Sequence, residues 1–245
     1  MKRPDLQAAF WGYYRRQMMR PGPAAVFLNP FFFARRGLYA AMQEIAQGVS
    51  GDLLDVGCGS RPYEHLFPAA RYVGLELDTA KNRAADFADA YYDGGRFPFD
   101  DASFDAVLCN EVLEHAFEPD RLVAEMARVL RPGGRLLLTV PFAWDEHEQP
   151  ADYGRYTSFG LAHLLGKHGF RVRLQRKTMA DARAVFQLLN AYLYRVVWTR
   201  HPYLNVVLTA CVMAPVTIAG CLAGWLLPAN PDFYLDNVVL AERHG

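Results

Sequence analysis

Residues 53–60, LLDVGCGS, join a short apolar run to an acid and two glycines. The apolar part suits a strand buried on both faces of a parallel sheet, and Asp55 lies where that strand ends. Gly57 and Gly59 allow the backbone to turn sharply and to approach a ligand closely. Open parallel sheets bind ligands beyond the carboxyl ends of their strands. The segment therefore predicts one edge of a binding site, with a plain strand-turn-helix junction as the alternative.

Short apolar runs alternate with helix-like segments along most of the chain. Further strands are predicted at 71–78, 104–112, 135–141, 170–177 and 236–242, and helices at 37–47, 119–130 and 157–168. Such alternation indicates right-handed crossovers and a mostly parallel α/β sheet. The segment before residue 37 is predicted to be irregular, because it is rich in Pro, Phe and Arg.

Composition narrows the class of protein. A chain of 245 residues is long enough for one large α/β domain. Its formal net charge of zero disfavours nucleic acid as a partner, since phosphate binding needs surplus Lys and Arg. The four cysteines form no CxxC pair, so we expect neither a disulfide framework nor a zinc site. The N-terminus lacks the apolar core of a secretory signal, which favours a cytoplasmic protein.

The first 36 residues are basic and aromatic, with Asp5 as their one acid. The seven basic residues are Lys2, Arg3, Arg15, Arg16, Arg20, Arg35 and Arg36. This mixture suits either an anionic membrane surface or a solvated lid.

Four sequence blocks occur in a fixed order. They are LLDVGCGS at 53–60, YVGLELD at 72–78, FPFDDASFDAVLCNEVLEH at 97–115 and EMARVLRPGGRLLLTVP at 125–141. By these blocks the chain resembles the class I S-adenosylmethionine-dependent methyltransferases, most closely the bacterial group with compact single-domain cores. The resemblance spans roughly residues 51–177 and the last strand. It implies a Rossmann-like, mostly parallel seven-stranded sheet with helices on both faces and an antiparallel last strand.

The resemblance also implies which residues contact S-adenosylmethionine. The predicted set is Asp55, Gly57, Cys58, Gly59, Glu76, Asp93, Asn110 and Glu111. The glycine turn would face the amino-acid portion of the cofactor, Glu76 its ribose hydroxyls and Asp93 its adenine amino group. Asp78 is an alternative to Glu76, because strand alternation points both side chains the same way. Asp93 could instead serve only to form a turn. Arg61 stands at a position where many members of the family carry glycine, so the detailed contacts of the glycine turn are not predicted.

The loop after residue 141 is dense in polar and aromatic side chains and lies where an acceptor would enter. His147 is the predicted general base because imidazole titrates near neutral pH, with a merely solvated histidine as the alternative. Acids available to orient it are Asp145, Glu146, Glu148 and Asp152, and the predicted substrate contacts are Trp144, Tyr153, Arg155 and Tyr156. Glu114 reads as a local capping or pairing group and His115 as a core or pocket-wall histidine, each with a functional role as an equal alternative. No metal site is expected, because the spacing of these acids and histidines matches no ligand motif.

Residues 203–228 contain no charged side chain and are long enough to be a transmembrane candidate. One crossing would separate strand 170–177 from strand 236–242, which should be neighbours. Pro215 divides the stretch into halves, each covering only about 18 Å of a hydrocarbon core of about 30 Å. A re-entrant or interfacial helix pair, an apolar cap on the core and a homodimer interface remain as alternatives. Gly220 and Gly224 would permit close helix packing.

The predicted organisation is a basic, aromatic segment at 1–36 and a methyltransferase domain at 37–245, with an apolar helical insertion at 181–230. The predicted function is methyl transfer from S-adenosylmethionine to a small or lipid-linked acceptor, at the inner face of the cell membrane if the insertion makes peripheral membrane contact. The alternative function is a non-catalytic relative that binds a nucleoside or a partner.

Overall fold

The computed structural model describes residues 6–69 and 71–244. Seven strands form one sheet in the order β3-β2-β1-β4-β5-β7-β6. They are β1 Asp52–Val56, β2 Arg71–Leu77, β3 Ala90–Tyr92, β4 Phe104–Asn110, β5 Leu130–Pro141, β6 Phe170–Lys177 and β7 Asp236–Arg243. The pairs among β1 to β5 are parallel, and β7 is antiparallel to both of its neighbours. The predicted sheet, with its antiparallel last strand, is confirmed.

The chain divides into two compact units. We call one the sheet unit; it comprises Ala41–Phe142, Glu146–Lys177 and the residues from Asp236 onward. We call the other the helical unit; it comprises the residues up to Ala40, Ala143–Asp145 and Thr178–Leu235.

The sheet unit is built around strands buried on both faces. Leu53, Leu54 and Val56 of β1 are almost fully buried, as their continuous apolar run predicts. The helices of this unit are α4 Ala80–Ala85, α5 Pro119–Val129 and α6 Ser158–Lys167. Helix α5 buries Val123 and Met126 on one face. Its helical period places these side chains together against the sheet core.

The helical unit contains α1 Leu6–Met19, α2 Ala25–Leu28, α7 Ala182–Val197, α8 Pro202–Leu208 and α9 Ala214–Leu226, and α3 Phe32–Ala46 begins in it. The expectation of an irregular segment before residue 37 is therefore wrong for Ala25–Leu28, for the start of α3 at Phe32 and, over its longest stretch, for α1. No single buried apolar stripe marks this helix, because Leu6 and Tyr13 are exposed while Trp11 packs against Tyr203. Lys2, Arg3 and Asp5 lie outside the described residues.

Helices α8 and α9 are joined by a π-helical turn at Thr209–Met213 into one continuous helix, Pro202–Leu226. The predicted division at Pro215 is therefore wrong. Proline lacks an amide hydrogen, and its ring clashes with the carbonyl four residues earlier in a regular α-helix. The wider π turn immediately before Pro215 changes that hydrogen-bond pattern, so the helix continues through the proline.

Helices α7 and α9 pack against each other in opposite directions. A Cβ placed on Gly220 would lie 2.8 Å from the Phe186 side chain, and one on Gly224 would lie 2.8 Å from Arg183. Asn190 Nδ2 donates to Thr217 Oγ1 at 2.9 Å. The predicted role of the two glycines in close helix packing is confirmed.

Candidate functional site

A cavity of about 730 Å³ lies at the carboxyl ends of β1, β2 and β4, within the sheet unit. This volume is typical of small-molecule sites, and this edge is where open parallel sheets bind ligands. The turn after β1, the end of β2, helix α4 and the loop after β4 form its walls. Five of the predicted cofactor residues line it: Gly57, Gly59, Glu76, Asp93 and Glu111.

The glycine turn presents backbone to the cavity. Gly57 has a φ of +69° and Gly59 a φ of +48°, a region that disfavours residues with a Cβ. The Gly57 amide donates to the Leu75 carbonyl at 2.8 Å, and a Cβ on Gly57 would collide with Val112. A Cβ on Gly59 would meet no atom within 4 Å. The protein therefore leaves no room for a side chain at Gly57, whereas the space beside Gly59 is open.

Glu76 is held in place at the end of β2. One carboxylate oxygen accepts from the Gly59 amide at 2.8 Å, and the other accepts from Asn82 Nδ2 at 2.9 Å. Asn82 is fixed in turn because its amide donates to Thr79, the N-cap of α4. The competing acid, Asp78, forms two 2.8 Å contacts with Arg83 and does not line the cavity. Glu76 is therefore the acid that the structure places at the site.

Three predicted cofactor residues lie behind the cavity wall rather than on it: Asp55, Cys58 and Asn110. Asp55 is buried and accepts a 2.6 Å hydrogen bond from the Tyr72 hydroxyl. Burial raises the pKa of Asp55 to about 7, and burial raises that of the Cys58 thiol to about 12. Asn110 accepts from Thr139 Oγ1 at 3.0 Å. Their direct cofactor contacts stay predictions.

Asp93 and Glu111 border the cavity. Asp93 accepts from the Gly95 amide at 2.9 Å, so the turn-forming role and the position at the cavity coexist. Glu111 has a φ of 54°, which is uncommon for a residue with a side chain and is frequent at functional sites. Lys81 and Asn82 also line the cavity. Both belong to α4, a helix of six residues without a buried side chain, and the sequence analysis missed it.

At the acceptor side, the predicted base His147 is oriented by one of its four candidate acids. Its Nδ1 lies 3.3 Å from Asp152 Oδ2, and its amide donates to the same oxygen at 2.9 Å. Arg155 binds both Asp152 oxygens, at 2.6 and 2.7 Å, and this contact lowers the pKa of Asp152 to about 2. Of the other acids, Asp145 pairs with Arg195, Glu146 accepts from Gln149 and Glu148 lines the cavity.

Glu114 is the residue whose position the sequence left undecided. Its side chain is fully buried, and neither carboxylate oxygen has a hydrogen-bond partner among the described residues. Burial raises the pKa of Glu114 to about 8. His115 Nε2 lies 3.7 Å from it and His147 Nε2 lies 4.0 Å from it. The local indication in the sequence was an acid directly before a histidine, at the end of EVLEH.

The predicted substrate contacts are dispersed. Tyr153 lines the cavity, whereas Trp144 belongs to the helical unit and packs against Phe31. Arg155 is engaged by Asp152, and Tyr156 packs against the sheet core with its carbonyl accepting from Asn237. Roles of these four residues in substrate binding stay predictions.

Comparisons with known proteins show which domain the sheet unit resembles. Residues 54–138 match the family model described as a methyltransferase domain. An uncharacterized methyltransferase of Mycobacterium marinum (strain ATCC BAA-535 / M) is 35% identical over 168 residues, covering 62% of this chain and 58% of the relative. An uncharacterized methyltransferase of Mycolicibacterium gilvum (strain PYR-GCK) is 34% identical over 141 residues, which cover 51% of this chain and 50% of the relative. The crystal structure of an S-adenosylmethionine-dependent methyltransferase from Mesorhizobium loti has a TM-score of 0.53 at 18% identity, covering 86% of this chain and 100% of that chain.

Residues 54–138 therefore match a methyltransferase domain, and the sheet has the class I methyltransferase fold, as the four sequence blocks predict. S-adenosylmethionine is the methyl donor of that class. The chain spans about half the length of the curated relatives it matches.

Proposed function

We propose that this chain transfers a methyl group from S-adenosylmethionine to a small or lipid-linked acceptor at a membrane surface. The cavity beyond β1, β2 and β4 carries the proposal. Its residues fit the cofactor, because Gly59 leaves open space where a Cβ would project and Glu76 is oriented beside it. These are the two features that close approach of a nucleoside with vicinal hydroxyls requires.

Each wall of the cavity has a role in this proposal. Glu76 accepts hydrogen bonds from the ribose hydroxyls, and Asp93 accepts one from the adenine amino group. The backbone from Gly57 to Gly59 contacts the amino-acid portion of the cofactor. The bound cofactor supplies an electrophilic methyl group. The acceptor enters beside Tyr153 and His115, where the chain aligns its nucleophilic atom with that methyl group. His147 as the general base stays a prediction, and it requires Nε2 to be available for the proton.

Formation of S-adenosylhomocysteine tests methyl transfer. We expect the protein to produce it from S-adenosylmethionine with at least one member of a panel of phenolic, quinol, amine and polyprenyl-linked acceptors, and not without an acceptor. Cofactor binding without turnover across that panel would instead support the non-catalytic relative.

The helical unit exposes apolar faces on two packed helices. Exposed apolar side chains on α7 are Val185, Leu189, Tyr192 and Val196, and those on the continuous helix Pro202–Leu226 are Leu204, Val207, Ile218, Leu222, Trp225 and Leu226. Among the described residues, this continuous helix is the one long and apolar enough to cross a membrane. Extended apolar surface of this kind marks membrane or protein contacts.

Peripheral contact fits these helices better than a crossing. Strands β6 and β7 are adjacent in one sheet, so the chain between them leaves and returns on one side. The continuous helix also buries Ala214, Thr217 and Gly220 on its other face, inside the helical unit. Only the outward face is available, which suits a helix lying in the interface. The proposed location is therefore the inner face of the cell membrane, with the soluble part in the cytoplasm.

Vesicle flotation tests the membrane contact. We expect the full chain to float with vesicles of phosphatidylcholine and phosphatidylglycerol. The double variant Leu222→Glu/Trp225→Glu should lose at least about tenfold in bound fraction, because each buried apolar side chain contributes about 1.5–3 kcal/mol. Phe159→Glu, an equally exposed apolar position on α6 of the sheet unit, is the matched control and should float unchanged. Absence of floating, together with a dimer that the double variant abolishes, would assign this face to a homodimer instead.

A further inference from the structure

Three metal-ligand side chains from two separate segments meet beside the cavity. Glu114 and His115 come from the helical turn after β4, and His147 comes from the loop after β5. One ligand atom from each lies within 4.8 Å of the other two. His115 lines the cavity, and the His147 side chain is 26% exposed. The cluster is therefore within reach of a ligand from solvent.

Glu114 lacks a partner that would explain its burial. Its side chain has no exposed surface, and both carboxylate oxygens are without a hydrogen bond among the described residues. Burying such a group without compensation costs free energy, and buried acids are normally paired or coordinate a cation. Its Oε1 points toward the two imidazoles, at 3.7 and 4.0 Å from their Nε2 atoms.

Both histidines are oriented with Nε2 toward Glu114. His115 Nδ1 lies 2.5 Å from the Ala151 carbonyl, which can only accept, so Nδ1 carries the hydrogen. His147 Nδ1 faces the carboxylate of Asp152 at 3.3 Å, and Arg155 holds that carboxylate with two contacts. Carbonyl and carboxylate partners of this kind orient metal-binding histidines in known sites.

We propose that Glu114, His115 and His147 bind a divalent transition-metal ion, with Zn²⁺ as the ion that best suits two imidazoles and one carboxylate. Tetrahedral zinc bonds of about 2.1 Å require ligand atoms about 3.4 Å apart. The observed separations are 3.7 and 4.0 Å from Glu114 Oε1 and at most 4.8 Å between the two imidazole ligand atoms, so side-chain movements are needed to reach that spacing. Three protein ligands leave a coordination position for water or an acceptor oxygen.

This inference deepens the proposed function where it concerns the acceptor, but ion binding itself does not depend on methyl transfer. It assigns His147 Nε2 to the ion and so replaces the general-base role. It also revises the expectation of no metal. Sequence spacing did not indicate the site because the ligands are adjacent at positions 114 and 115 and the third lies 32 residues further on.

Titration of Zn²⁺ into the chelator-treated full chain, without cofactor or acceptor, tests the site. The exposed thiols of Cys211 and Cys221 are first replaced by serine, so that they bind no zinc. We expect calorimetry to give one ion per chain and Co²⁺ to give the visible absorption of a nitrogen- and oxygen-ligated centre. Glu114→Gln and His147→Gln should each weaken binding by about 100-fold, since each removes one of three ligands.

His163→Gln is the matched control, because His163 is exposed on α6 and outside the cluster. It should bind the ion as the parent does. Circular dichroism without metal establishes that each variant is folded, and His115→Gln replaces Glu114→Gln if the latter is not. No bound ion in the serine-substituted chain, or unchanged affinity in folded Glu114→Gln or His115→Gln, would overturn the proposal. Loss of methyl transfer alone would not bear on it.

Discussion

Glu76→Ala is expected to weaken S-adenosylmethionine binding by at least about 100-fold. The substitution removes the two carboxylate oxygens that the ribose hydroxyls would contact, and hydrogen bonds to a charged group contribute about 1.5–3 kcal/mol each. It also removes the acceptor of the Gly59 amide and one of the two acceptors of Asn82 Nδ2, so the turn and the start of α4 lose a shared contact. Isothermal titration of the cofactor into the folded variant measures the loss.

Asp78→Ala is the matched control for this experiment. Asp78 is an acid two residues further along the chain, but its partner is Arg83 and it lies away from the cavity. Cofactor affinity should stay within a few-fold of the parent protein. Equal affinities for Glu76→Ala and the parent, or a larger loss in Asp78→Ala, would show that the cofactor site is assigned to the wrong acid.

The centre of the sheet could be predicted from the sequence because its buried strands contain continuous apolar runs. Burial of Leu53, Leu54 and Val56 follows directly from their pattern. Strand β3 and helix α4 escaped prediction because they have only three and six residues. Elements of that length contain too few positions to establish a period.

The acceptor side could be predicted only in part, because its geometry depends on contacts between distant segments. The sequence identified His147 and four candidate acids to orient it. Only folding brings Asp152 to Nδ1 of that histidine and Glu114 toward its Nε2. The role of Glu114 stayed open because its neighbours in the chain gave no indication of residues 147 and 152.

The continuous helix Pro202–Leu226 could not be predicted for a different reason. Pro215 normally ends or kinks a helix, and this rule led to the predicted pair of short helices. A π turn is not visible in the pattern of apolar residues, since residues 209–213 are as apolar as their surroundings. Small residues were the more reliable guide here, because Gly220 and Gly224 identified the face that packs against α7.

Asp55 is expected to make the stability of the chain fall as pH rises toward neutrality. Its ordinary pKa is 3.8, and burial raises the pKa in the folded protein to about 7. Between these values the unfolded chain has released the proton and the folded chain retains it, so higher pH favours unfolding. The contribution of protonated Asp55 to the free energy of unfolding is fully present below about pH 4 and is lost above about pH 7. Between these values each pH unit lowers the free energy of unfolding by about 1.4 kcal/mol, so about 3 kcal/mol is lost between pH 5 and pH 8.

Asp55→Asn isolates this effect, because an amide has the shape of the protonated acid and still accepts from the Tyr72 hydroxyl. The free energy of unfolding of the parent minus that of the variant should fall by about 3 kcal/mol from pH 5 to pH 8 in urea titrations. Other carboxylates contribute equally to both proteins and cancel. Parallel pH profiles would mean that Asp55 is ionised at its ordinary pKa in the folded chain. The Tyr72 hydroxyl would then be sufficient to stabilise the buried anion.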